Sequence, residues 1–346
     1  MNWEKIEIIN QDGEMAEAQA PIIISASRST DIPAFYADWF VERWKKGYIR
    51  WKNPFNGVPL YVSFKKSRVV VFWTKNPRPM MKHLPFLNEH VKNFYFQYTL
   101  NDYDNEGYEG NVPPVDNRIK AFIELSDQIG KKHIIWRFDP MILTDKIDVT
   151  TLLSRVKNIG DQLHIYTNKL VFSFADITIY NKVANNLKKE DIAYQEFTED
   201  TMHQFAKGLQ ELNKTWKLEI GTCAEKIPLE QYGIVHNKCV DDDLMIELFS
   251  CDKPLMDFLG HKPTPIQTSM FPDEQSTTEL KKDKTKKLKD KGQRELCGCI
   301  FSKDIGQYNT CPHECVYCYA NTSMESARNN YKTHKANPNF DTIIGI

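Results

Sequence analysis

The stretch HIIWRFDP, residues 133–140, passes from a β-branched and aromatic run into a charged end at Arg137 and Asp139. A short apolar run of this kind, bounded by polar residues, reads as a strand buried on both faces of a parallel sheet. The same grammar recurs along the chain: PIIIS at 21–25, VVVFW at 69–73, FYFQY at 94–98, LVFSF at 170–174, KLEI at 217–220, and a weaker YGIV at 232–235. Each run is separated from the next by enough chain for a helix, and 119–126 and 201–212 carry apolar residues at helical period. Alternation of this type predicts a parallel sheet covered by helices. Seven strands, with a short eighth near Cys299, predict an α/β fold of the (β/α) TIM-like barrel class, complete or partial. An open doubly wound sheet produces the same local pattern.

The residues just after the strands carry the chemistry. They are 27–31 (SRSTD), 74–77 (TKNP), 101–102 (ND), 137–140 (RFDP), 175–176 (AD), 222–225 (TCAE) and 239–242 (CVDD). In a parallel barrel all strand C-termini open on one face, so these groups are expected to converge on one cavity. Asn101 and Asp102 read as an ordinary polar strand end. Arg28, Asp31, Lys75, Arg137 and Asp139 each follow an apolar strand directly, where a charge needs a partner or a ligand. They are the candidate catalytic residues, and rim-bracing ion pairs such as Arg137–Asp139 or Arg28–Asp31 are the competing reading.

The totals are compatible with one large barrel and an appendage. The chain has 346 residues, 41% of them hydrophobic, with 19 Phe, 15 Tyr and 7 Trp to fill a closed core. Lys+Arg is 45 against Asp+Glu 46, which provides no global field for nucleic acid or membrane. The N-terminus lacks the apolar core of an export signal and no run reaches the roughly 18 apolar residues of a membrane span, so a cytoplasmic protein without a membrane partner is expected. In outline, 1–20 reads as a polar arm, 21–271 as the barrel, 272–294 as a basic polar linker and 295–346 as a cysteine-rich segment that completes or caps the barrel. The lysines from Lys281 to Lys291 lack interleaved aromatics, and the bland reading of a solvated linker outweighs a nucleic-acid patch.

Eight cysteines without an export signal point to metal binding rather than disulfides. Five of them, Cys297, Cys299, Cys311, Cys315 and Cys318, fall in one segment, and the last three are spaced C-x3-C-x2-C. Short spacings in a turn bring thiolates together with little chain entropy, and three cysteines suit three corners of an iron–sulfur cluster. Cys297 and Cys299 are candidates for an additional ligand. Zinc is the alternative, with His313 adding to the supply, although only Cys315 and Cys318 form a C-x2-C knuckle.

Cys311, Cys315 and Cys318, with Tyr317 just before the third cysteine, resemble the defining motif of the radical S-adenosylmethionine superfamily. TKNP at 74–77 and WRFDP at 136–140 resemble its spore photoproduct lyase-like branch. The whole chain is similar to an uncharacterised family, a domain of unknown function that ends in S-K-D-I-G-x-Y-x-T-C-x-x-x-C-x-Y-C-Y-A-N, here 302–321. The resemblance implies a 4Fe-4S cluster on Cys311, Cys315 and Cys318 and S-adenosylmethionine on its open iron, with Tyr317 beside the cofactor. It also implies reductive cleavage to a 5′-deoxyadenosyl radical, an electron donor such as a flavodoxin or ferredoxin, and a nucleic-acid lesion as one substrate class. In that superfamily the motif follows the first strand, and a circularly permuted barrel would reconcile its late position here: a strand around 299–301 would precede the cluster loop and 22–25 would act as the second strand; the alternative is a block that caps the barrel mouth. The competing function is a non-catalytic barrel protein that carries a structural zinc or a fully ligated cluster and binds a ligand or nucleic acid.

Overall fold

The computed structural model describes residues 3–54, 56–261 and 288–346. The end of the expected barrel segment, 262–271, and most of the basic linker, 272–287, lie outside the described residues, as do Lys281 to Lys287 of the lysine run.

The strands are β1 (Lys5–Ile9), β2 (Met15–Gln19), β3 (Ile23–Ala26), β4 (Tyr48–Lys52), β5 (Pro59–Ser63), β6 (Val69–Thr74), β7 (Asn93–Thr99), β8 (Ile134–Met141), β9 (Leu143–Thr144), β10 (Lys169–Phe174), β11 (Tyr194–Gln195), β12 (Glu219–Thr222), β13 (Ile234–His236) and β14 (Lys303–Asp304). The fold is mixed α/β around a parallel eight-stranded sheet in the order β13-β12-β10-β8-β7-β6-β3-β14. Residues 5–19 of the expected N-terminal arm form a β1–β2 hairpin, and β2 continues into a small sheet with β5 and β4. The arm's alternating side chains leave one face of this hairpin apolar, which accounts for its pairing.

The strand interiors obey a period of two. Ile23, Val69, Val71, Tyr95, Ile135 and Val171 share one face with Cys239, Val240 and Cys299. Ile24, Val70, Phe72, Phe96, Trp136 and Phe172 share the other with the helix faces. The expected helical segments lie within helices Val115–Ile129 and Glu199–Trp216, the second capped by Thr198, whose side chain accepts from Thr201 N. Full burial of each such apolar side chain contributes about 1.5–3 kcal/mol.

The eighth strand is displaced from its expected place near Cys299. Ile300 N instead donates to Val240 O (3.0 Å), and Lys303 and Asp304 pair in parallel with Ile24 and Ser25 of β3. A two-residue strand of Lys and Asp has no apolar run to announce it; β3 supplies the hydrogen-bonding edge. Downstream, helix Met324–Ala336 lays Tyr331 and His334 against Tyr36, with ring centroids 5.6 and 4.6 Å away. Phe340 O accepts from Trp39 Nε1 (2.9 Å). The C-terminal segment is therefore woven into the β3 side of the sheet. Among the described residues no helix is long and apolar enough to cross a membrane.

Candidate functional site

The site is built where β3 and β14 end. Asp304 accepts from Ser25 Oγ (2.9 Å) and Ser27 Oγ (2.6 Å), and from Arg28 N and Gly306 N (both 2.9 Å). One carboxylate thus ties the exit of β3 to the exit of β14. Gly306 lies so close that a Cβ placed on it would stand 1.9 Å from Ser27 Oγ, which explains why glycine occupies this turn. Past it, Thr30 and Thr310 share a hydroxyl–hydroxyl bond of 2.6 Å, and Tyr36 Oη donates to Thr310 O (2.6 Å). These bonds fix the start of the cysteine loop.

The loop is pinned at each cysteine interval. His313 Nε2 lies 2.7 Å from Asp31 Oδ2, the same carboxylate that caps helix Ile32–Phe35 through Ala34 N (2.9 Å) and accepts from Lys75 N (2.7 Å). His313 is therefore engaged with Asp31. Tyr317 Oη donates to Glu109 and accepts from Lys75 Nζ (2.9 Å) and Asn101 Nδ2 (3.1 Å). Asn321 Nδ2 donates to Cys311 O (2.8 Å). Val316 N reaches Tyr108 O (3.0 Å), docking the loop on the segment after β7.

Glu109 is the buried centre of this network. Lys75 Nζ stands 2.6 Å from Oε1 and Arg118 Nη1 3.1 Å from Oε2, and Arg118 also pairs with Asp104 at 3.0 Å. Burial alone would raise the Glu109 carboxyl, but Lys75 and Arg118 hold it down at about 2. Two cations and two carboxylates balance, which is the condition for keeping such charges out of water.

Four of the five candidate catalytic residues are thus partnered within the protein. Asp31 holds His313 and Lys75 N; Lys75 holds Glu109 and Tyr317. Arg137 donates through Nη2 to Asp139, and through Nη1 to Gln97 Oε1 (3.2 Å) and Cys239 Sγ (2.8 Å). Asp139 also accepts from Ser173 Oγ, and its backbone N donates to Asn101 Oδ1 (2.8 Å). Arg28 differs. Its guanidinium lies 5.0 Å from the Trp73 ring, with Arg137 at 5.2 Å from the same ring, and its buried Nη2 has no hydrogen-bond partner among the described residues. Burial works against the Arg28 charge, yet Cys299 and Asp304 hold it above its ordinary value.

All five of these residues, Cys311, Cys315 and Cys318 line one cavity of about 410 Å³. The three cysteines are free thiols, Cys315 buried and the other two partly so. Burial pushes Cys311 up to about 12, with Asp31 adding to the effect, and raises Cys315 and Cys318 as well. Thiols in this state keep their protons near neutral pH until a cation displaces them. Cys297 and Cys299 open into the same cavity, where Cys299 contacts both Cys297 and Cys239, and Cys239 stands 3.8 Å from Cys223 sulfur to sulfur.

Sequence reasoning missed Glu109, which lies in a polar segment without a strand or motif to flag it, and gave no role to Asp304, although that residue stands in the S-K-D-I-G stretch that begins the family motif. It undervalued Asn101, which is fully buried and bonds to Glu109, Tyr317 and Asp139. The only available signal was its position immediately beyond a strand.

The arrangement defines a class: an α/β protein with a cysteine-lined cavity at the C-terminal ends of a parallel sheet. The chain belongs to the family described as domain of unknown function DUF1848, whose model matches residues 23–320. No curated protein matches it. A solved structure with some likeness is a proposed alpha-L-fucosidase from Bacteroides thetaiotaomicron, 12% identical, covering 57% of this chain and 75% of that one at a TM-score of 0.24. A likeness that slight carries no argument.

Proposed function

We propose that this protein is a radical S-adenosylmethionine-type iron–sulfur enzyme, with Cys311, Cys315 and Cys318 holding a 4Fe-4S cluster at the mouth of a TIM-like barrel entered at a permuted point. The observation that carries the reading is the joint placement of the three free thiols: they follow β14 directly and open into the cavity that the strand-end charges line. His313, engaged with Asp31, is not needed as a ligand, which leaves three thiolates and one open corner. Bound there, such a cluster would supply one-electron reduction of S-adenosylmethionine, with a flavodoxin or ferredoxin as donor.

The strand order supports the barrel. From β3 to β13 spatial order follows chain order, and β14, last in sequence, lies beside β3, the first of the eight. A singly wound sheet whose last strand returns to its first is what closure requires, whereas a doubly wound sheet reverses direction at a switch point. The Ile300 N to Val240 O bond bridges the remaining seam between the β13 and β14 sides. With β14 taken as the strand before the cluster loop, β3 becomes the second strand of the permuted barrel.

The chain's own residues have positioning roles. Lys75, Glu109 and Asn101 hold Tyr317 and so the third cysteine; Asp31 holds His313 between the first two; Asp304 sets where the loop begins. Anaerobic reconstitution with iron and sulfide, followed by dithionite and S-adenosylmethionine, tests the reading. Release of 5′-deoxyadenosine that disappears in Cys315→Ser is expected. Purification with zinc in place of iron, and no 5′-deoxyadenosine from iron-loaded protein, would establish the structural-metal alternative instead.

A further inference from the structure

The reading above leaves four cysteines of the same cavity without a task. Cys223 follows β12, Cys239 follows β13, and Cys297 and Cys299 precede β14, so three separate loops deliver them to one place. Cys239, Cys297 and Cys299 are buried and Cys223 is partly so, and none is in a disulfide. Cys223 and Cys239 sulfurs stand 3.8 Å apart; Cys239 contacts Cys299, and Cys299 contacts Cys297. The edge of a tetrahedron built on metal–sulfur bonds of about 2.3 Å is roughly 3.8 Å, which matches the first pair.

The surroundings treat these sulfurs as acceptors. Arg137 Nη1 donates to Cys239 Sγ (2.8 Å), Asn237 Nδ2 to the same sulfur (3.1 Å), and Val240 N to Cys299 Sγ (3.4 Å). N–H groups aimed at sulfur are the outer contacts that tune metal-bound thiolates. Arg28, whose buried Nη2 lacks a partner, is placed beside Cys299. A divalent ion on four thiolates carries two negative charges, and the Arg28 and Arg137 guanidinium groups stand beside Cys299 and Cys239 as nearby cations. Cys223–Cys239 and Cys297–Cys299 form two joined pairs rather than a closed set, and no three of the sulfurs lie within 4.8 Å of one another among the described residues.

We propose that Cys223, Cys239, Cys297 and Cys299 form a second metal centre of four thiolates, separate from the Cys311–Cys315–Cys318 loop. The site suits a thiolate-preferring metal: one zinc ion if the pairs converge, or a two-iron, two-sulfide cluster with one pair on each iron. Cys297 and Cys299 then serve this centre and leave the open corner of the first intact.

Metal and acid-labile sulfide analysis of the full-length protein, isolated anaerobically from medium containing both zinc and iron, tests the proposal. The Cys311→Ser/Cys315→Ser/Cys318→Ser variant removes the first site and is expected to retain either about one zinc or about two irons with two sulfides. Cys223→Ser/Cys239→Ser is expected to lose that complement while keeping the metal of the first site. Because a cavity variant can misfold, metal-stripped wild-type protein is also titrated with Co(II). An intense thiolate-to-cobalt absorption that survives in the triple variant supports the four-thiolate site. The proposal is overturned if the triple variant holds no metal and binds no Co(II), if Cys223→Ser/Cys239→Ser leaves the metal content of the triple variant unchanged when added to it, or if mass mapping finds Cys223 and Cys239 joined as a disulfide.

Discussion

Glu109→Gln probes the charge network that holds the cysteine loop. The Glu109 carboxyl is held at about 2 against an ordinary 4.5, with burial opposing and Lys75 and Arg118 prevailing. Its folded value is depressed, so the stability it confers is fully present above pH 4.5 and is lost as pH falls from 4.5 toward 2. The difference corresponds to about 3 kcal/mol. In Glu109→Gln, Lys75 and Arg118 keep their positions but share no full anion between them, and stripping one partner from a buried ion pair costs about 3–5 kcal/mol. Urea unfolding followed by circular dichroism, run from pH 7 to pH 2.5, reads both quantities. The variant is expected to be several kcal/mol weaker at pH 7 and to decline less than the wild type as the medium is acidified, so that the two curves converge. A variant within 1 kcal/mol of wild type at pH 7, or one whose acid decline parallels it, would show that Glu109 is not the counter-ion that the geometry describes.

Three further outcomes follow from the same structure. Gly306→Ala drives a Cβ to 1.9 Å from Ser27 Oγ; overpacking of this kind costs about 1–3 kcal/mol, and thermal melting should fall by several degrees with a drop in reconstituted iron. A wild-type melting point would refute the close approach. Asp304→Ala strips acceptors from Ser25, Ser27, Arg28 N and Gly306 N, and limited proteolysis should cut the cysteine loop faster than in wild type, with unchanged cleavage counting against the tie. Burial raises Glu225 to about 8, where its carboxyl accepts from Phe174 N. Its contribution is whole below pH 4.5 and is lost as pH rises through 8, so Glu225→Gln should flatten the fall in melting temperature between pH 6 and 9; parallel profiles would contradict this.

Much of the architecture was legible because parallel strands buried on both faces write long apolar runs. VVVFW, FYFQY and LVFSF all fall within strands of the main sheet, and Thr74, Lys75, Ala175 and Asp176 beyond two of them line one cavity, whereas Asn101 and Asp102 beyond the third do not. The short strands were harder to read. β14 is Lys303–Asp304, polar and two residues long, and it exists because β3 offers an edge and Asp304 has four donors to satisfy. The hairpin of 5–19 was hidden for a related reason: its side chains are mostly exposed or half-exposed, so its composition resembles a polar arm.

Sequence alone determined which residues could carry chemistry. The C-x3-C-x2-C spacing, the strand-end Arg28, Asp31, Lys75, Arg137 and Asp139, and the unusual thiol count are all written in order along the chain. Tertiary structure decided which of them meet. Lys75 is committed to Glu109, 34 residues away, and Asp31 to His313, 282 residues away. Cys299, only 12 residues before Cys311, stands instead against Cys239 from the loop after β13. Charges and thiols buried in a low-dielectric cavity must find partners across whatever distance in sequence the fold brings together, and pairing of that kind leaves no local pattern to read.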